Sequence, residues 1–169
     1  ILTACHIAKV DKIFAVSGAQ AIAAFAYGTN TIPKVDLICG PGGIYTTIAK
    51  KLVYGDVGID GLYGPTETLI VADENANPIL CASDLVAQAE HDVLAIPLCI
   101  TTSTELAQSI SQESISRSSQ IKRSQIASQS IINKGAILVV ETLEQAFELA
   151  NNFAPEHISL MVKDPHTHL

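Results

Sequence analysis

Two Glu-His pairs carry the residue types most able to do chemistry in this chain. One lies in LVAQAEHDV, from Leu85 to Val93, and the other in NFAPEHISL, from Asn152 to Leu160. On a helix, Gln88 and His91 share a face, whereas Glu90 points elsewhere. An imidazole nitrogen and an amide oxygen on one face can bind the same cation, and zinc takes histidine together with oxygen ligands. The same pair at a helix end also serves as a cap or as polar surface, and the residues alone leave that open. In APEHIS, Pro155 stops the preceding helix, and Glu156 and His157 enter a strand. Adjacent side chains diverge along a strand, but at a bend both can face one cavity. A glutamate beside a histidine suits proton transfer near neutral pH. A polar strand edge has the same spelling.

Two glycine-rich turns are further candidates. CGPGG (39–43) falls between a strand and a helix, where backbone N–H groups can approach a phosphate or another anion. It is not GxGxxG, and a tight turn without ligand explains it equally well. YGPTE (63–67) precedes a strand and offers the hydroxyl of Thr66. Asp56 and Asp60 read as turn-forming acids.

These residues need a scaffold, and the bulk composition limits which one. The chain has 169 residues, of which 48% are hydrophobic, 16% are charged and none is Trp. Ala, Ile, Val and Leu must therefore fill the core, as in buried parallel sheets. A net charge of −7 with 10 Lys and Arg argues against a nucleic-acid surface, which needs clustered cations. No apolar run approaches the ~20 residues of a membrane span. The four cysteines, Cys5, Cys39, Cys81 and Cys99, lack CxxC or zinc-ribbon spacing and read as buried reduced thiols of a cytosolic protein.

Strand and helix signals alternate. Strands are expected at 12–16, 35–40, 68–73, 94–101, 136–141 and 157–162. Helices are expected at 18–28, 42–55 and 143–153, with another opened by Asn77 as N-cap and Pro78 and running through His91. The Ser-, Gln- and Ile-rich span 103–133 reads as one long or two broken helices. Thr102/Glu105 and Thr142/Gln145 have capping-box spacing. Repeated strand–helix–strand units imply an α/β fold with parallel sheets, in two Rossmann-like halves. The loop 56–67 is the expected boundary, dividing the chain into 1–65 and 66–169. The ends, ILTACHIAKV without Met and PHTHL just after a strand, read as the interior of a longer chain.

Taken together, SGAQAIAAFAYGT, IPKVDLICGPG, GDVGID, GPTE, ASDLVAQAEHD and APEHIS resemble histidinol dehydrogenases in order and spacing, from end to end of the chain. That resemblance implies oxidation of L-histidinol to L-histidine, the last step of histidine biosynthesis, in two NAD-dependent steps within a cytoplasmic homodimer. It implies zinc ligands at Gln88 and His91, which also contact substrate, and an acid–base pair at Glu156 and His157. His157 and Thr66 would contact substrate, and Gln20 and Gly43 would stand at NAD contacts.

The chain departs from the family pattern in places. GPGG replaces the usual GPGN, so Gly43 offers no side chain. GPTE replaces GPSE, which keeps a hydroxyl but narrows the pocket by a methyl. The remaining zinc ligands of the family, an Asp and a His, fall beyond Leu169. Two rival readings follow: a paralogue oxidising another polyol or amino alcohol, and a truncated module that only binds a nucleotide or a partner.

Overall fold

The structure is a computed structural model and describes residues 1–168. The chain divides into two compact units, Ile1–Gly64 and Pro65–Leu169.

In the first unit, helices α1 (Leu2–Ile7) and α2 (Gly18–Tyr27) precede strand β1 (Leu37–Ile38), helix α3 (Ile44–Val53) and strand β2 (Gly58–Ile59). β1 and β2 pair in parallel, Leu37 with Gly58 and Ile38 with Ile59. Ile22, Ala26, Ile38, Val53 and Val57 form the core. Helix α3 closes with Lys50 and Lys51 in its last turn, where cations complement the exposed carbonyls.

In the second unit, strand β3 (Glu67–Ala72) leads into helix α4 (Pro78–Ala89), then strand β4 (Ile96–Thr101) and helices α5 (Thr104–Ser118) and α6 (Ser124–Lys134). Strand β5 (Ala136–Val139), helix α7 (Leu143–Phe153) and strand β6 (His157–Met161) complete it. The four strands lie in the order β5-β4-β3-β6, and every pairing is parallel. One face of the sheet, through Ile70, Ala72 and Cys99, packs on Cys81 and Leu85 of α4 and on Leu106 and Ile110 of α5. The opposite face, through Leu69, Val71 and Ile100, packs on Ala146 and Ala150 of α7. This two-sided burial explains the near-continuous apolar spelling of β3.

Caps account for several boundaries. The Asn77 side chain accepts the Ile79 N–H at 2.9 Å with Pro78 at the first helical position. Thr142 accepts from Gln145 N, and the Gln145 side chain accepts from Glu141 N. Helix α7 ends on Ala154 in the left-handed region, φ 52°, just before Pro155.

Some expectations are corrected. Residues 12–16 form no strand, because no neighbouring segment supplies the pairing that a short apolar run needs. The strand at 35–40 shrinks to Leu37–Ile38, and its partner β2 lies inside the span expected to be loop. α5 is capped by Ser103, whose hydroxyl accepts the Leu106 N–H, rather than by Thr102. Cys81 and Cys99 are buried, but Cys39 is exposed and Cys5 half-buried. Desolvation raises the buried thiols, Cys81 to about 11 and Cys99 to about 12, so they stay protonated and unreactive.

Candidate active site

The second unit brings its sequence-selected residues to one edge of one face. Side chains of paired residues in a parallel ladder point to the same side, so Thr68 and Ile70 share a face with their partners His157 and Ser159. Ile70 packs on α4, which places His157 on the α4 side of the sheet. Helix α4 starts beyond the carboxyl end of β3 and runs back to the amino end of β4. Gln88 and His91 therefore lie at the amino edge of the sheet, where β3 and β6 begin with Glu67 and His157. Thr66 stands at the same edge, its carbonyl accepting the Ile96 N–H at 2.9 Å.

A hydrogen bond ties the two elements together. The Ser159 hydroxyl donates to Asp84 Oδ2 at 2.7 Å. Asp84 and Gln88 are one turn apart and share a face of α4, His91 follows just past the helix end, and Ser159 and His157 share a strand face. Moving one turn along α4 from Asp84, and one pleat along β6 from Ser159, leads toward the same edge.

The QAEH turn is fixed from several directions. Helix α4 ends at Ala89 with Glu90 as C-cap, so His91 sits just past the helix rather than within it. Its N–H donates to the Gln88 carbonyl at 3.1 Å, which keeps Gln88 and His91 on the same side. The His91 carbonyl accepts from the Arg123 guanidinium at 3.2 Å. His91 Nδ1 lies 2.8 Å from the Ala87 carbonyl. A carbonyl only accepts, so Nδ1 carries a proton, and the neutral ring in this tautomer has its lone pair on Nε2. This is the tautomer and orientation that a metal-ligating histidine uses. The hydrogen bond at Nδ1 thus gives His91 the donor chemistry of a zinc ligand, with Gln88 one turn before it in the chain. Among the described residues no three His, Cys, Asp or Glu side chains converge to hold a metal.

At the other pair, His157 Nε2 lies 3.8 Å from Glu156 Oε1, with the side chains 56% and 46% exposed. The left-handed Ala154 and the ring of Pro155 turn the chain so that both side chains sit together at the start of β6. Beside His157 in the ladder, Thr68 buries a hydroxyl that has no hydrogen-bond partner among the described residues. A cavity of about 650 Å³ in the same unit, lined by Ser114, Ile115, Ile131 and Ile137 among others, touches neither Glu-His pair.

In the first unit, Gln20 is exposed at the start of α2, and its amide folds back over Gly18. Gly43 is the N-cap of α3 with ordinary extended backbone, φ −66° and ψ 175°, and open space where a Cβ would stand.

A sequence model of the histidinol dehydrogenase family matches residues 1–169. The chain belongs to the histidinol dehydrogenase family. It is 53% identical over 168 residues to a histidinol dehydrogenase of Dehalococcoides mccartyi, spanning 99% of this chain and 38% of that protein. It is 50% identical over 165 residues to one from Bacillus cereus, again 38% of that protein. The crystal structure of a histidinol dehydrogenase from Elizabethkingia anophelis superposes with a TM-score of 0.92 at 34% identity, covering 99% of this chain and 39% of that one. The chain therefore spans about two-fifths of the length of these family members.

Within that family frame, Thr66, Gln88, His91, Glu156 and His157 are brought to one edge of the second unit, while Gln20 and Gly43 belong to the first. Motif reading missed Asp84, Ser159 and Arg123, which hold the candidate residues in place. The i, i+4, i+7 spacing of Asp84, Gln88 and His91 was a signal for the first of them. The other two are visible only once strand register and helix packing are known.

Proposed function

We propose that the intact protein oxidises L-histidinol to L-histidine in two NAD-dependent steps, as a zinc enzyme and a cytoplasmic homodimer. The observation that carries this reading is the delivery of His91, with Nε2 free, and His157 to the same edge and face of one sheet in a histidinol dehydrogenase family chain. Gln88 and His91 would hold half of a four-ligand zinc site. Zinc bound there would fix the substrate amine and imidazole, and NAD would accept the hydride.

The chain's own side chains do the rest. Thr66 offers its hydroxyl to the substrate at the start of β3. His157 takes the proton from the carbinol oxygen as the carbinol carbon gives up hydride, leaving an aldehyde. Glu156 then removes a proton from water as its oxygen adds to the aldehyde carbon, while His157 returns its proton to the aldehyde oxygen. His157, neutral again, takes one hydroxyl proton of that hydrate as the second hydride leaves, giving the acid, which ionises to the carboxylate. The exposure of Glu156 and His157 suits groups that must meet substrate and water in turn. Exposed Ile44, Ile48 and Leu52 leave an apolar face on α3, which supports an assembly larger than this chain.

The test assays full-length variants with histidinol and histidinal separately, following single-turnover NADH formation. His157→Asn should slow both oxidations by ~10²–10⁴-fold, and Glu156→Gln should impair histidinal oxidation more than the first hydride transfer. Zinc content should stay unchanged in both. Equal, small losses for both substrates would mean that the pair is only a strand edge. Full activity on another amino alcohol with none on histidinol would favour a paralogue, in line with the methyl of Thr66.

A further inference from the structure

We infer that the ion pair between Lys50 and Asp60 is a positioning element that sets the glycine turn 40–43 for NAD binding without touching the reacting atoms. The inference rests on the NAD reading of that turn. Lys50 is 2% exposed, and a buried ammonium persists only where acceptors surround it. Its Nζ donates to the Gly40 carbonyl at 3.0 Å and to the Asp60 carboxylate, and it stands 5.2 Å from the centre of the Tyr63 ring. Asp60 in turn accepts the Gly40 N–H at 2.7 Å and the Tyr63 hydroxyl at 3.4 Å. The two ends of one ion pair thus hold both backbone polar groups of a single residue.

That residue is the pivot of the turn. Gly40 has φ +125°, a conformation open to glycine and strained for others. A Cβ there would meet nothing within 4 Å, so the demand for glycine is conformational. The β1–β2 ladder is two residues long and constrains little beyond Ile38. The pair, not the sheet, therefore fixes where the chain leaves β1. Beyond it, Gly42 packs so closely on Thr46 that a Cβ would come within 2.6 Å of that side chain. The Gly43 carbonyl accepts from Thr46 N and Thr47 N, and the Thr47 hydroxyl donates to the Tyr63 carbonyl at 3.0 Å. Segment 60–63 is thereby laced across the first turn of α3.

The result is a rigid turn leading into a helix start with no side-chain cap and no acid in its first turn. Its leading N–H groups lack intrahelical partners and favour an anion. A neutral pair shapes this turn without adding charge that would compete with a dinucleotide.

The experiment uses the full-length protein. Lys50→Met and Asp60→Asn should each raise the KM for NAD by about tenfold or more, the scale of a lost hydrogen bond to a charged group. The kcat at saturating NAD, the KM for histidinol and the zinc content should stay near wild type. Lys50→Arg, which keeps the cation, should recover most of the NAD affinity. The double variant Lys50→Met/Asp60→Leu removes both charges and avoids a lone buried ion, so it reports on binding where a single variant unfolds. Equal rises in both KM values, unchanged NAD affinity in the double variant, or no recovery with arginine would each overturn the inference. Absence of NAD-dependent histidinol oxidation in the wild type would instead strike the proposed function.

Discussion

Cutting the Ser159–Asp84 hydrogen bond should loosen the helix that carries Gln88 and His91 from the strand that carries His157. The bond is short, 2.7 Å, and its acceptor is a carboxylate, so it belongs to the stronger charge-assisted class. Such bonds contribute about 1.5–3 kcal/mol. Asp84 and Ser159 are both half-buried, so water replaces part of the loss, and Ser159→Ala should cost toward the lower end, about 1.5 kcal/mol. A double-mutant cycle with Asp84→Ala should show a coupling of about 1 kcal/mol. The assay is urea unfolding followed by far-UV circular dichroism. The chain has no Trp and four Tyr, and Tyr27, Tyr45, Tyr54 and Tyr63 all fall in the first unit. Tyrosine fluorescence is therefore an internal control that should not move. In the full-length enzyme the same variants should lose turnover, since a displacement near 1 Å at a positioned group costs up to ~10²-fold. Strict additivity of the two substitutions, or a shift in the tyrosine transition instead, would refute the reasoning.

Two further outcomes follow from the first unit. Gly43→Asn should be tolerated, because a Cβ at that position meets nothing within 4 Å. It should add a few tenths of a kcal/mol as a better N-cap and lower the KM for NAD in the full-length protein. Unchanged NAD affinity in the folded variant would separate Gly43 from the dinucleotide. Asp60 is held down at about 2, first by its hydrogen bond from Lys50 and then by the Gly40 N–H. A carboxyl depressed in the folded state binds fewer protons there than in the unfolded chain between its two pKa values. Its contribution is present above about pH 4 and fades as pH falls toward 2. Tyrosine-detected unfolding midpoints should fall across that window, and Asp60→Asn should flatten that part of the profile.

The second unit was legible in the sequence where local and global signals agree. β3 is apolar because both its faces are covered. The Asn77-Pro78 start and the Thr142/Gln145 cap are written in side chains that bond to nearby backbone. The first unit was less legible, because its strands are two residues long and their pairing joins segments separated by a whole helix. No local pattern encodes that pairing, so Gly58 and Ile59 read as loop. The Glu-His residues were legible as types, and the resemblance supplied their roles, but their shared face follows from the Thr68–His157 register, which only the folded sheet defines. The hydrogen bonds of Asp60 were not legible for a related reason: its partners Lys50 and Gly40 are distant in sequence, and alone it looks like any turn acid.

The position of the candidate residues runs against the usual geometry of such a sheet, and Asp73 supplies a reason. The order β5-β4-β3-β6 reverses direction between β3 and β6, and in doubly wound sheets ligands settle in the crevice at the carboxyl ends there. Asp73 sits at that point, just after β3 and 5% exposed. Its carboxylate accepts the Asn75 N–H at 2.9 Å and the Lys163 N–H at 2.6 Å, and its own N–H donates to the Met161 carbonyl. The loop after β3 and the chain after β6 are therefore sewn together by one side chain where a ligand would otherwise enter. With that crevice filled, polar side chains with unspent hydrogen-bonding capacity collect at the opposite, amino edge. There the end of α4 and the bend at Ala154-Pro155 leave the His91 and His157 rings free of the sheet. The carboxyl edge is tied by the hydrogen bonds of Asp73, and the candidate residues stand at the amino edge.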